Sequence, residues 1–150
     1  MSRQQERIDP NVLLMQIQAI RDQINRLQGF IAELATARES VVRSIDSVKA
    51  LKRVGEDNII IPLDPQMNSF TMLKPVDTDY VIVHLGLNVY ARLPVGDAVK
   101  ILEAKESRLS RSIGEASKQL NELVKLHEQY QALLQSIALS AQTQRQQQTR

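Results

Sequence analysis

At 150 residues, with no tryptophan and an aromatic fraction of only 3%, the chain lacks the large side chains that usually fill a rounded globular core. The absence of cysteine excludes disulfides, thiolate nucleophiles and cysteine-based metal sites. A formal net charge of +2, from 19 basic and 17 acidic residues whose signs are interleaved, argues against the concentrated positive face of a nucleic-acid-binding protein.

The chain opens with MSRQQERIDP, which lacks the apolar core of a secretory signal. No uninterrupted apolar run approaches the roughly 20 residues of a membrane-spanning helix. We therefore expect a cytoplasmic protein that has no membrane partner.

The first segment, residues 9–55, is typical of a long coiled-coil helix. Asp9 and Pro10 favour a helix start, because an Asp side chain accepts from free N–H groups and proline fits the first helical position, and Gly55 is a plausible stop. Apolar residues follow at alternating spacings of four and three, a period of 3.5 that indicates a narrow seam. We define the first seam as Leu13, Ile17, Ile20, Ile24, Leu27, Ile31, Leu34, Arg38, Val41, Ile45 and Val48.

Residues 58–93 interrupt the helical pattern with two predicted β-hairpins. The sequence DPQ at 64–66 is a turn signal, and Gly86-Leu87 matches a two-residue hairpin loop with glycine first. The predicted strands cover residues 58–63, 67–73, 80–85 and 88–92.

Both faces of these strands carry apolar residues. A lone hairpin is marginal in water, and helices that pack on each other leave neither free to lie across the sheet. We therefore predict obligate oligomerisation through this insert. The residues predicted to form the oligomer interface are Ile59, Ile61, Phe70, Met72, Val81, Val83, Leu85 and Val89.

The third segment, residues 94–141, repeats the coiled-coil pattern. Pro94 lies near its start, where proline is tolerated, and Glu106 and His127 are its clearly polar seam positions. The remaining stretch, 142–150, is polar and seam-free, which predicts a flexible tail. The second seam comprises Val95, Val99, Leu102, Glu106, Leu109, Ile113, Ala116, Leu120, Leu123, His127, Tyr130, Leu134, Ile137 and Ala141.

The two helical segments, which we call the arms, predict one mainly α-helical module across residues 1–150 with a small β insert. Each arm would be about 65 Å long at 1.5 Å per residue. Pairing with the local arm costs less closure entropy than pairing with another molecule. We therefore predict a long antiparallel two-helix coiled coil joined by two β-hairpins.

The order of the predicted elements and the local sequence motifs in residues 10–140 resemble the alpha-class subunits of prefoldin. The characteristic pieces are Pro62 in the first strand, DTDYVIVHLG at 77–86, and DAVKIL at 97–102. Two hairpins are typical of the alpha class, since beta-class subunits have one. The sequence departs from the family pattern at Gly96 and in the Gln-rich tail.

The resemblance implies a hetero-hexamer of two alpha and four beta-class prefoldin subunits. Their hairpins would form a β-barrel body from which six coiled coils project. The family holds unfolded client proteins between the tips of its coiled coils and passes them to a group II chaperonin, without nucleotide or other cofactor.

The arm tips, near residues 10–20 and 130–142, contain more apolar residues than the seam requires. We predict that they bind clients, although these residues could also pad the coil or contact a neighbouring arm. The predicted client-binding residues are Val12, Leu13, Leu14, Ile17, Leu133, Leu134, Ile137 and Leu139.

No catalytic or metal site emerges from the sequence. His84 and His127 lack acidic neighbours at metal-binding spacing, and DTD at 77–79 lacks the central glycine and distal glutamate of a calcium loop. No nucleophile–base pair can be assembled, so we expect neither an enzyme nor a metal or cofactor. The alternative function is a structural coiled-coil adaptor, or tether, that binds one folded partner.

Overall fold

The computed structural model describes residues 9–54, 57–64, 67–75 and 77–148. It confirms a mainly α-helical chain with two long antiparallel helices and two hairpins between them. Two ion pairs, Arg38–Glu106 and Lys49–Glu103, join the helices. The residue number rises along one helix as it falls along the other, so the helices run antiparallel. The elements are α1 (Pro10–Val54), β1 (Ile59–Pro62), β2 (Phe70–Leu73), β3 (Tyr80–Gly86), β4 (Val89–Pro94) and α2 (Val95–Gln148).

The chain divides into two compact units, each of which contains part of both helices. We call residues 1–34 with 112–150 the terminal unit, and residues 35–111 the central unit.

The terminal unit is a helix pair held together by the two seams. Leu13, Ile20 and Ala116 are buried, and most of the other seam side chains in this unit are half-buried. The helix start is as predicted: Asn11 N donates to Oδ1 of Asp9 at 2.9 Å, and Leu13 N donates to the Asp9 carbonyl oxygen at 3.1 Å. The 3.5-residue period therefore identifies the buried side of both helices.

The central unit has a small core to which both helices and the second hairpin contribute. Its buried residues are Val41 and Ile45 of α1, Val83 of β3, and Ala98 and Leu102 of α2. The expectation that neither helix covers the sheet is therefore wrong. The physical reason is that α2 begins directly after β4, so the hairpin folds back on the first turns of the helix.

This core also corrects the assignment of two predicted interface residues. Val83 is only 5% exposed, and Val81 and Leu93 pack against the cluster that contains it. Val81 lies opposite Leu93 in the antiparallel register, so both point to the same face. This face of the second hairpin is occupied by the chain's own helices.

The turn of the second hairpin lies one residue later than predicted. Gly86 pairs with Val89, so the two-residue loop is Leu87-Asn88. Both loop residues have positive φ, 48° and 60°, as a type I′ turn requires. The register also shifts between His84 and Gly86, which makes Leu85 a bulge residue.

The ends of several elements differ from the prediction. β2 begins at Phe70, three residues after the predicted start, and α2 continues to Gln148, so the segment predicted as a tail is helical as far as that residue. Glutamine is a good helix former and no glycine or proline interrupts this stretch. The predicted stop at Gly55, and the residues Pro65 and Gln66 of the predicted turn, lie outside the described residues.

Candidate functional site

Exposed apolar side chains lie in the first turns of α1 and the last turns of α2, in the terminal unit. Val12 and Leu14 are each 50% exposed, and Met15 and Leu139 are more exposed still. None of these four residues belongs to a seam, so burying them is not what holds the helices together. Each of these four side chains therefore exposes apolar area near the ends of the two helices.

The eight residues predicted to bind clients divide into three groups. Leu13 is 2% exposed, so its side chain fills the seam and cannot contact a client without opening the coil. Three of the eight, Val12, Leu14 and Leu139, are exposed. The other four are half-buried: Ile17, Leu133, Leu134 and Ile137.

Met15 was missed by the sequence analysis, although it is among the most exposed apolar residues of this region. The signal was present in the apolar run VLLM at 12–15, because only Leu13 of these four residues belongs to the first seam.

Hydroxyl groups near this surface are already hydrogen-bonded to their own helix. Ser136 Oγ donates to the Leu133 carbonyl oxygen at 2.7 Å, and Ser140 Oγ donates to the Ile137 carbonyl oxygen at 2.8 Å. Their donor groups are therefore used within α2, and only acceptor lone pairs remain for a bound molecule.

A second candidate surface lies on the first hairpin, in the central unit. Ile60 is opposite Met72, and Pro62 is opposite Phe70, so these four residues share one face. Ile60, Met72 and Phe70 are all more than half exposed. The predicted interface residues Phe70 and Met72 therefore lie on an open apolar face. On the other face, Ile59 is half-buried and Ile61 is 36% exposed.

The second hairpin exposes the face that points away from the central core. Tyr80, Ile82 and His84 alternate with the buried face along β3, and Ile82 and His84 lie opposite Arg92 and Tyr90. The Arg92 guanidinium lies 4.5 Å from the Tyr80 ring centre, and the His84 and Tyr90 rings are 4.9 Å apart. These aromatic contacts order an exposed face.

The predicted interface residues of the second hairpin do not all lie on that exposed face. Leu85 and Val89 are about half exposed, near the turn. Ile82, at 72% exposure, lies on the exposed face and is absent from the predicted interface, because that prediction took the opposite face of β3, which contains Val81 and Val83.

Carboxylates order the loops at the ends of both hairpins. Oδ1 of Asp77 accepts from the backbone N–H groups of Asp79 and Tyr80, and Oδ2 accepts from the Arg92 guanidinium. These hydrogen bonds, that of Asp79 first, lower the pKa of Asp77 below its ordinary value of 3.8. The DTD stretch at 77–79 is therefore a loop that the Asp77 carboxylate holds in place by hydrogen bonds.

The Asp64 carboxylate orders the loop of the first hairpin in the same way. Its carboxylate accepts from the backbone N–H groups of Asn68 and Ser69, and these bonds lower its pKa.

Within the described ranges, no three His, Cys, Asp or Glu side chains cluster as metal ligands would. In the same ranges, neither helix carries an apolar stretch long enough to cross a bilayer.

Comparison with known proteins identifies the family. The family model for prefoldin subunits matches residues 15–139. The alpha subunit of prefoldin from Aeropyrum pernix is 38% identical over 134 residues, which cover 89% of this chain and 87% of that protein. The alpha subunit from Metallosphaera sedula is 29% identical over 124 residues, covering 81% and 84% of the two chains.

A solved structure shares this fold. The cryo-EM structure of filamentous PFD from Methanocaldococcus jannaschii has a TM-score of 0.66 at 25% identity, and the match covers 77% of this chain and 95% of that one. Sequence and structure agree. The chain belongs to the prefoldin family, in the alpha class of its subunits.

Proposed function

We propose that this chain is the alpha-class subunit of an ATP-independent holdase that captures unfolded proteins on the exposed apolar surface of its terminal unit. Membership of the prefoldin family makes it a non-enzymatic chaperone subunit. The single observation that supports the binding surface is the exposure of Val12, Leu14, Met15 and Leu139 outside the seams.

The size of this surface favours weak and reversible capture. Burying one Leu or Val side chain contributes about 1.5–3 kcal/mol, and ordering a flexible client offsets much of that gain. One arm therefore holds a client weakly, while several arms that contact the same client raise the effective affinity without new contacts. Release then requires no nucleotide.

Assembly with beta-class partners would bring several arms together. Among the described residues, each of the two sheets has two strands, and such hairpins are marginal alone. The open face of Ile60, Phe70 and Met72 supports burial against another subunit. We expect a hexamer of two alpha and four beta-class subunits, with the hairpins in a shared β-barrel body, that acts in the cytosol and passes clients to a group II chaperonin.

The binding surface is tested with the complex formed by co-expression with a beta-class subunit. The variant Val12→Ser/Leu14→Ser/Leu139→Ser should keep its assembly mass and suppress aggregation of a chemically unfolded model protein less well. The matched control is Ile101→Ser, which alters an exposed apolar residue of α2 in the central unit. Equal suppression of aggregation by both variants would contradict the assignment of client binding to the ends of the helices.

The same preparation distinguishes a holdase from the alternative function, a structural coiled-coil adaptor. An adaptor would protect none of several unrelated clients and would bind one folded protein tightly. Transfer is tested by adding a group II chaperonin to the client-loaded complex; a client that stays on the complex would contradict the hand-off.

The assembly surface is tested by Phe70→Asp. This substitution places a charge on the open face and should abolish the complex in size-exclusion chromatography with light scattering. The mass of the unaltered complex also distinguishes a closed hexamer from an open assembly of the kind named for the filamentous relative.

A further inference from the structure

A depression lies on one side of the helix pair within the terminal unit, away from the exposed residues at the ends of the helices. Its volume is about 390 Å³, which is room for one or two large side chains. Two seam leucines form its floor, and polar residues surround them. The lining residues are Gln23, Arg26, Leu27, Phe30, Gln119 and Leu123.

Phe30 is the residue that the coiled coil does not explain. It lies outside the seam and is 49% exposed, and the chain contains only two phenylalanines. An aromatic ring at this position gives up favourable burial. It provides a large apolar wall for whatever enters the depression.

The rim of the depression carries one positive charge and two amides. Arg26 makes no hydrogen bond or ion pair with any other residue in the described part of the chain. Its guanidinium is therefore available to a carboxylate from outside. Gln23 and Gln119 offer neutral donors and acceptors, which suit the backbone of an extended peptide.

Apolar residues also lie at intervals of seven from the lining of this depression toward the ends of the helices. Leu126 and Leu133 follow Gln119 at intervals of seven on α2, and Val12 precedes Arg26 by two such intervals on α1. Residues seven apart lie on the same side of a coiled-coil helix. Val12 and Phe30 are separated by about 27 Å along α1, at 1.5 Å per residue.

We propose that this depression is a second client-binding site on the arm, for an extended apolar segment that carries an acidic residue. One bulky apolar side chain of the client packs against Phe30 and the floor leucines, and a neighbouring client carboxylate pairs with Arg26. The proposal rests on the proposed holdase function, and it extends the binding surface from the ends of the helices along their side.

Site-specific photo-crosslinking tests this proposal, because a chain without cysteine accepts a single labelled cysteine. Gln23→Cys places a benzophenone maleimide at the rim, and Gln28→Cys is the matched control, an exposed Gln on α1 outside the depression. Leu14→Cys reports on the end of the helix. Each labelled chain is assembled with its beta-class partner and given a synthetic extended peptide with leucine, phenylalanine and one aspartate.

The expected result is strong crosslinking of the peptide from Gln23→Cys and Leu14→Cys, and weak crosslinking from Gln28→Cys. Phe30→Ser should reduce the Gln23→Cys product about tenfold, the effect of losing about 1.4 kcal/mol of binding. Arg26→Gln should reduce it about two- to fivefold for the aspartate peptide, as expected for an exposed ion pair, and not for its asparagine version.

Four outcomes would overturn the proposal. Equal product from Gln23→Cys and Gln28→Cys would show that the depression is not a site, and a crosslink from Gln23→Cys to a second copy of the chain or to the beta-class partner would show that another subunit occupies it. Crosslinked product from Leu14→Cys alone would contradict this second site and leave the proposed holdase function intact. The absence of product from every position would contradict both the second site and the holdase function.

Discussion

Arg38 of α1 and Glu106 of α2 meet where both seams are polar. The Nε atom of Arg38 lies 2.5 Å from Oε1 of Glu106, and Ser110 Oγ accepts from the same Nε and donates to the same carboxylate oxygen. The hydrogen bonds from Ser110 and Arg38 lower the pKa of Glu106. A polar layer of this kind sets the register of two helices at some cost in stability.

Replacing both charges by leucine should stabilise the helix pair and weaken its register. Since the Arg38 side chain is 48% exposed, solvent screens the ion pair and it contributes little to stability. The double variant Arg38→Leu/Glu106→Leu should melt at higher temperature by circular dichroism, while each single variant leaves a polar group without its partner. A double-mutant cycle measures the coupling, and strictly additive effects would show that the pair contributes nothing.

Val83 and Ile82 are neighbours with opposite roles. Val83→Ala removes two methyl groups from the central core and should lower the free energy of unfolding by about 2 kcal/mol. Ile82→Ala alters a side chain that is 72% exposed, so it should leave the subunit's stability unchanged and weaken assembly. Denaturant unfolding of the isolated subunit and the mass of the complex separate the two effects. Equal loss of subunit stability would contradict this division.

The two seams could be read from the sequence because a 3.5-residue period is a local signal that one chain displays. Leu13 illustrates the limit of that signal. Its assignment to the client surface required knowing how completely the partner helix covers it, and periodicity does not report this.

The placement of Val83 could not be predicted, because alternation gives two faces of a strand without saying which one meets the helices. The turn at Leu87-Asn88 was missed for a related reason. Glycine at position 86 satisfied the turn pattern, whereas the pairing of Gly86 with Val89 and the bulge at Leu85 depend on the register of the whole hairpin.

His127 should be a weak point of the terminal unit. Its Nε2 atom is buried on the second seam and finds no hydrogen-bond partner among the described residues, which costs about 1–3 kcal/mol. His127→Leu should therefore raise the melting temperature. Gln129→Leu, at an exposed position of the same helix, is the control and should have little effect. A lower melting temperature for His127→Leu would mean that the imidazole has a partner in the assembled protein.

Leu87 adopts a backbone conformation that suits other residues better. Its φ is 48° and its side chain is fully exposed, so no packing compensates for strain that costs on the order of 1 kcal/mol. Leu87→Asn and Leu87→Gly should both stabilise the second hairpin. Leu87→Ala also removes the apolar surface, but it has neither the freedom of glycine nor the short polar side chain that lets Asn adopt positive φ, so it should gain less, as chemical denaturation would show. An equal gain from alanine would indicate that strain is not the cause.

Asp77 should make the second hairpin sensitive to acid. Its pKa is lowered in the folded chain from an ordinary value of 3.8, so the carboxylate stabilises the fold above that pH and loses this effect as the pH falls through the lowered value. Asp77→Asn removes the attraction to Arg92 and should flatten the acid limb of an unfolding curve followed by the Tyr80 ring resonances. Asp79→Asn keeps the Asp77 carboxylate and should retain the acid dependence. If the Asp77→Asn curve still falls below pH 4 as the unaltered protein does, other carboxylates control the hairpin.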